Sequence, residues 1–325
     1  MHLFWLQLMW TVLGILFLAL MIHYDWRAIF NHKVVIWGIY IGMVLLLLIT
    51  YFTSPVIRNT RSWIVLGPVN FQPVEFTKIA LILLYAWYFK RRHLAIGRWP
   101  TIITSLILFA LPAGLTLLQP DLGSASILFG VWFGFLLTSG LPRSKIFMAV
   151  VAFAILAVLG WNFALKDYHR ARIHGLFFPE ENALTVNYSV IQAKIAIGSA
   201  GFWGKGYGQG SQTQLGFLTE PSNDFVLASL VEEWGLVGGL VAITSLLALI
   251  WNVLKVGLRA RGNTEKFFAL GTAMVFGLHF LINAGSTVGL FPVVGVPFPF
   301  LSYGGSNLLT SFFLLAIMAS IIRRA

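Results

Sequence analysis

Residues 34–53 read VVIWGIYIGMVLLLLITYFT, a stretch without a single charged side chain. An α-helix rises about 1.5 Å per residue, so about 20 apolar residues cross the hydrocarbon core of a bilayer. The run is continuous rather than alternating, which favours a helix over the strand of a membrane barrel. This stretch alone therefore predicts a membrane-spanning helix.

The composition of the whole chain agrees with that prediction. Of its 325 residues, 58% are hydrophobic and only 10% are charged, with a mean hydropathy of +0.84. Soluble domains contain about 25% charged residues, so a water-soluble globule is excluded, and the abundant apolar surface excludes disorder. The absence of cysteine excludes disulfides and cysteine-ligated metals.

Similar apolar stretches recur along the chain, including one at the N-terminus that lacks the basic start and the cleavage site of a signal peptide. We count about nine spans, at residues 3–22, 34–53, 74–89, 101–118, 122–140, 145–165, 225–256, 266–290 and 304–322. The predicted fold is an all-α, polytopic transmembrane bundle forming a single domain over residues 1–325. Residues 166–223 form its largest loop.

Basic residues set the predicted orientation, because short cytoplasmic loops are enriched in Lys and Arg. Most of the 22 Lys and Arg fall on one side of the alternating spans, in the loops near residues 27–33, 90–98, 143–145, 255–266 and at 323–324. Acidic residues gather in the 166–223 loop and its exit, on the other side. The loop is therefore predicted to lie outside, and the net charge of +11 reflects topology and anionic lipids, with no nucleic-acid partner expected.

Charged side chains at membrane depth mark the first candidate site. Glu75 and Lys78 lie three residues apart near the start of a span, so they share a helix face. Such charges usually face an interior or a cavity, but a self-neutralising pair that lowers the cost of insertion fits equally well. Asp121, between two spans, is a candidate polar group or simply the N-cap of the next helix.

The exit of the large loop is the second candidate site. Residues 188–197 could form a short amphipathic segment with Gln192, and Lys205 lies within GKGYGQG at residues 204–210. Alternating glycines would let the backbone of this run approach a ligand beside the Lys205 cation, although the run matches no nucleotide-binding fingerprint. A flexible surface turn is the alternative. Asp224 precedes an apolar run, where it either caps a helix or acts as a general base. At least one of Glu232 and Glu233 should face a polar interior.

The third candidate is residues 292–306, PVVGVPFPFLSYGGS, whose three prolines and three glycines forbid a regular helix. We predict a broken or re-entrant segment, which is tolerated only where protein or water covers the backbone. An ordinary external loop is the alternative.

Taken in order, these motifs resemble the SEDS family (shape, elongation, division and sporulation proteins). The resemblance covers about residues 57–306 and includes RSWI at 61–64, FQPVEFTK at 71–78, QPDLGSA at 119–125, the stretch from Tyr188 to Gly206, Asp224–Phe225, EEWG at 232–235 and PVVGVPFPFLSYGGS. The PVVGVP wording is closer to elongation members than to division members. The family has about ten spans, and its first helix is expected to be absent here.

The resemblance implies a peptidoglycan glycosyltransferase that polymerises lipid II at the outer face of the bacterial plasma membrane, with Asp224 as the essential acid. It implies a class B penicillin-binding protein, a transpeptidase, as partner. The candidate cations for the leaving diphosphate are Lys78, Arg61, Arg172 and Lys205, or a divalent metal such as Mg or Mn held by acidic residues. Further substrate-binding candidates are Glu75, Gln192, Asp121, Ser302 and Ser306.

Two other classes of function stay open from the residues alone. Intramembrane charges and broken segments also suit a transporter (flippase) for lipid-linked precursors, although the acids gather on one side rather than at the midplane. A non-catalytic scaffold for a penicillin-binding protein is the other class. Such a scaffold would tolerate the loss of Asp224.

Overall fold

The computed structural model describes residues 2–57, 60–67, 69–92, 96–159, 161–162, 167–178 and 187–323. Helices dominate it, and a helix covers most of each predicted span, although the span at 145–165 ends partly outside the described residues. This confirms the polytopic all-α fold. The helices are α1 (His2–Met21), α2 (Trp26–Asn31), α3 (Lys33–Thr53), α4 (Pro73–Arg92), α5 (Trp99–Leu118), α6 (Leu122–Thr138), α7 (Arg143–Leu159), α8 (Asp167–Phe177), α9 (Tyr188–Ser199), α10 (Ser211–Gln214), α11 (Val226–Arg259), α12 (Asn263–Thr287) and α13 (Gly305–Arg323).

Among the described helices, six are long and apolar enough to cross a membrane by themselves, namely α1, α3, α5, α11, α12 and α13. Helix α4 carries charges at both ends, and α6 and α7 are shorter. The protein is therefore a multi-pass membrane protein.

A short antiparallel hairpin, which was not predicted from the sequence, precedes α4. Strand β1 (Ile64–Leu66) pairs with β2 (Val69–Phe71), with Ile64 opposite Phe71 and Leu66 opposite Val69. Three-residue strands give too little alternation to be recognised from periodicity. The hairpin matters for the site because it delivers Gln72 and Pro73 to the start of α4.

The chain divides into two compact units, which we describe separately. The first comprises Met1–Leu141, Ala248–Leu278 and Tyr303–Ala325, and the second comprises Pro142–Leu247 and His279–Ser302. The interpretation of residues 1–325 as a single domain remains a prediction.

Helix α4 lies at the centre of the first unit, where it packs against α3, α5, α6 and α13. Its middle is buried on every face, and the Tyr85 hydroxyl donates to the Ser105 carbonyl at 2.9 Å. A helix that is apolar all round is suited to such a position. Because α4 is central, the polar side chains of its first turn are enclosed by protein.

The second unit contains a break in α11 at Gly235, whose φ of 73° and ψ of −175° are not helical. The carbonyls of Glu232 and Glu233 accept hydrogen bonds from the amides of Lys205 and Gly206, at 2.9 and 3.0 Å. Beyond the break, the amides of Leu236 and Val237 donate to the carbonyls of residues 201 and 202. The glycine-rich loop thus satisfies the backbone groups that the break releases, as exposed backbone at membrane depth requires.

Candidate functional site

Asp224 lies in a turn directly before α11. Glu220 adopts a left-handed φ of 47°, and its carbonyl accepts from the amides of Asn223 and Phe225 at 3.1 and 3.4 Å. Phe225 is 2% exposed and packs in a cluster with Ala193, Ala196, Leu218 and Ala228. Asp224 itself is half-buried. The turn therefore places the partly accessible carboxylate of Asp224 next to the buried side chain of Phe225.

Two side chains from other elements fasten this turn. Asn283 of α12 donates from Nδ2 to the Asp224 carbonyl at 3.0 Å and to the Val296 carbonyl at 2.9 Å. The Ser302 hydroxyl donates to the Asn223 carbonyl at 2.8 Å and accepts from the Phe298 amide at 2.8 Å. Residues 292–304 form no helix, as the prolines predicted. Asn283 was missed in the sequence, where its signal was one amide side chain in an apolar helix.

Glu232 is the buried acid of α11, which confirms that one of the two adjacent glutamates faces a polar interior. Its side chain is 0% exposed, whereas Glu233 is half-exposed. The Glu232 carboxylate accepts from Lys205 Nζ at 2.9 Å and from four further donors on Ser211, Gln212 and Thr213 at 2.8–3.4 Å. Lys205 is thus paired with Glu232 and joins the glycine-rich loop to α11.

Substitution of Glu232 tests the importance of this contact for stability. In Glu232→Gln, an NH₂ group would face donors and Lys205 would lose its counter-ion. We expect the free energy of unfolding in detergent micelles to fall by about 2–3 kcal/mol, the scale for losing charge-assisted hydrogen bonds. The control, Glu233→Gln, should change it by less than about 0.5 kcal/mol. Equal changes in the free energy of unfolding for the two variants would contradict the stabilising role of the Glu232 carboxylate.

The first unit contains the other polar cluster. The Lys78 ammonium and Glu75 Oε1 lie 2.7 Å apart, and their side chains are 1% and 2% exposed. Asn307 Nδ2 of α13 donates to the other oxygen, Glu75 Oε2, at 3.0 Å. The pair predicted from the sequence spacing therefore forms, and the neutral amide of Asn307 donates a further hydrogen bond to it.

Asp121 forms the predicted N-cap of α6. Its Oδ1 accepts from the Ser124 amide at 2.9 Å, and its Oδ2 accepts from the Ser124 hydroxyl and from Gln72 Nε2 at 2.8 and 3.0 Å. Burial raises the pKa of the Asp121 carboxyl, while the hydrogen bonds from Ser124 and the charge of Lys78 oppose that rise. The Ser306 hydroxyl accepts from the backbone amide of Gln72 at 2.9 Å. Gln72 thereby connects Asp121 with Ser306.

The remaining candidates take separate positions. Arg61 is exposed, and Gln192 is half-buried on α9. The Arg172 side chain lies outside the described residues. Within the described part of the chain, no three or more His, Asp or Glu side chains group together as a metal site.

Fold and site define a class: a multi-pass helical membrane protein with polar clusters inside the bundle and one partly accessible acid before a broken helix. A family model described as cell cycle protein, FtsW/RodA/SpoVE, matches residues 1–325. The chain belongs to this family.

Curated relatives of the chain are consistent with that family. The peptidoglycan glycosyltransferase MrdB of Escherichia coli (strain K12) is 38% identical over 273 residues, which cover 83% of this chain and 73% of MrdB. The probable peptidoglycan glycosyltransferase FtsW of Thiomicrospira cyclica is 36% identical over 321 residues, covering 97% and 80%.

Two solved structures resemble the chain closely. One, reported as structural coordination of polymerization and crosslinking by a peptidoglycan synthase complex, gives a TM-score of 0.85 at 28% identity and covers 99% of this chain and 90% of that chain. RodA of Thermus thermophilus gives 0.70 at 25% identity and covers 99% and 88%.

Proposed function

We propose that this protein is a peptidoglycan glycosyltransferase that polymerises lipid II into glycan strands at the outer face of the bacterial plasma membrane, for cell elongation and shape. The observation that carries the proposal is the family match over the full chain, to relatives that bear this enzyme's name. Lipid II is a disaccharide-pentapeptide joined through a diphosphate to a polyprenyl chain. An apolar bundle with polar clusters suits both halves of such a substrate.

Asp224 is the general base in this proposal. Its carboxylate accepts the proton of the acceptor sugar's 4-hydroxyl, and the oxygen attacks the donor's anomeric carbon with inversion. The bond from that carbon to the diphosphate oxygen breaks, and polyprenyl diphosphate leaves. A diphosphate needs no protonation to leave, so one carboxylate suffices, unlike the paired acids of glycosidases. The half-buried position of Asp224 supports this role.

The leaving diphosphate needs positive charge. Lys78 and Lys205 are each paired with a glutamate, whereas Arg61 is exposed to solvent. We propose Arg61, with Arg172 as a second candidate, for direct contact. Mg²⁺ or Mn²⁺ would contribute through substrate phosphates and one or two carboxylates, the way in which proteins usually hold Mg²⁺. Glu75, Gln192, Asp121 and Ser306 remain proposed substrate contacts.

A partner transpeptidase, a class B penicillin-binding protein, completes the proposal. The resemblance to a peptidoglycan synthase complex that coordinates polymerization and crosslinking supports such a pairing. The partner would crosslink the strands that this chain makes. An outward-facing Asp224 is part of the same proposal and is supported by the acidic bias of the 166–223 loop and its exit.

Polymerisation in detergent tests the function directly. We expect the purified protein, mixed with lipid II, to form glycan polymers that are resolved by gel electrophoresis, and EDTA to reduce their formation if a divalent ion carries the diphosphate charge. Detergent removes the two compartments that a transporter needs, so polymer formed there indicates an enzyme. Translocation of lipid II in vesicles without polymer in either assay would overturn the proposal.

A further inference from the structure

The two peptide planes on either side of the Asp224 Cα are each held by a side chain. The Asn223 carbonyl, in the preceding plane, accepts from the Ser302 hydroxyl at 2.8 Å. The Asp224 carbonyl, in the following plane, accepts from Asn283 Nδ2 at 3.0 Å. Peptide planes are rigid, so fixing both leaves the Asp224 backbone dihedrals little freedom. The direction of its Cα–Cβ bond is fixed with them.

Asn283 has a defined orientation. It is 1% exposed, and both hydrogens of its amide nitrogen are used, one on the Asp224 carbonyl and one on the Val296 carbonyl at 2.9 Å. The reverse orientation would set the amide oxygen against two carbonyl oxygens, which are acceptors only. Asn283 thus works as a double donor between the turn and the proline-rich segment.

Ser302 connects the same two segments through a second set of hydrogen bonds. Its hydroxyl, 4% exposed, accepts from the Phe298 amide and donates to the turn. The chain between Phe298 and Ser302 reverses with a left-handed φ of 62° at Phe300. His279 Nδ1 lies 3.0 Å from the Pro297 carbonyl and ties the segment to α12 as well. Hydrogen bonds to α12 and to the Asp224 turn therefore hold this segment in place.

We propose that Asn283 and Ser302 are positioning residues that aim the Asp224 carboxylate at the acceptor hydroxyl. This inference rests on the proposed function. It gives Ser302 a role through Asp224 in place of contact with substrate. A base must lie within hydrogen-bond reach of the proton it removes, so a small rotation of the turn affects turnover more than substrate binding.

The test compares steady-state polymerisation by Asn283→Ala, Ser302→Ala and Ser302→Thr with wild type. We expect the two alanine variants to lower kcat about 10- to 100-fold, since misplacing a reactive group by about 1 Å costs a factor of this order. KM should stay within about twofold of wild type. Ser302→Thr keeps the hydroxyl and should retain most of kcat. Thr272→Val is the control, because that buried hydroxyl bonds only within its own helix, to the Phe268 carbonyl.

The double variant Asn283→Ala/Ser302→Ala should lose less than the product of the single losses, because both residues hold one turn. If Asn283→Ala does not fold, as judged by detergent size-exclusion chromatography, the Ser302 variants decide alone. The inference is overturned by alanine variants of full activity, by a raised KM at unchanged kcat, or by Ser302→Thr as inactive as Ser302→Ala. A wild-type protein that makes no polymer would instead reject the proposed function.

Discussion

Replacing Glu75 by Gln is expected to destabilise the protein by about 3–5 kcal/mol, the cost of leaving a buried charge without its partner. The Lys78 side chain is 1% exposed, and its ammonium lies 2.7 Å from Glu75 Oε1, so water cannot replace its counter-ion. Denaturant-induced unfolding in detergent micelles measures the effect. Lys78→Met should be costly for the same reason, since it strands the carboxylate.

Glu265→Gln and Lys33→Met are the matched controls, because Glu265 is only half-buried and Lys33 is exposed; each should change the free energy of unfolding by about 0.5 kcal/mol or less. The double variant Glu75→Lys/Lys78→Glu separates two roles. Polymerisation that survives the swap indicates charge balance alone, and its loss in a folded protein indicates a role that depends on which residue carries which charge. An unchanged unfolding free energy in Glu75→Gln would contradict the burial of the pair.

Replacing Asp224 by Asn is expected to lower polymerisation by a factor of about 10²–10⁴, the contribution of a positioned general base. Asn has the same shape but cannot accept the proton of the 4-hydroxyl. The backbone of the turn is held through carbonyls and through packing of Phe225, not through the Asp224 carboxylate alone. The variant should therefore fold, and initial rates of glycan formation from lipid II measure the loss.

A scaffold would give the opposite pattern for this substitution. Asp224→Asn would then still support growth in cells that depend on this protein, and changes at the transpeptidase interface would not. Complementation alongside the purified assay therefore distinguishes the enzyme from a scaffold whose partner does the chemistry.

Much of the fold depends on interactions between residues that are close together in the sequence, and these can be predicted from it. Apolar stretches of about 20 residues predict spans wherever they occur, and spacing of three residues predicts the Glu75–Lys78 pair on one helix face. The N-cap role of Asp121 is equally local, since its carboxylate accepts from the backbone amide of Ser124, three residues further along the chain. The prolines of residues 292–306 exclude a helix by their covalent structure.

Other features depend on partners far along the chain. Asn283 donates to the Asp224 carbonyl, 59 residues away in the chain. An amide side chain within an apolar helix does not by itself predict its hydrogen-bond partner. The break at Gly235 is compensated by two amides and two carbonyls of residues 201–206, and glycine in a helix is often merely tolerated. The choice of Glu232 over Glu233 as the buried acid depends on the loop that packs there.

The most direct test of the account is the rate of lipid II polymerisation by purified Asp224→Asn, measured beside wild type and Asp25→Asn at equal folded concentration. Asp25 lies between α1 and α2, in the unit that does not contain Asp224, so its substitution makes the same chemical change at a residue with no proposed catalytic role. We expect near-complete loss in Asp224→Asn and wild-type rates in Asp25→Asn. Full polymer synthesis by a folded Asp224→Asn protein would contradict the account.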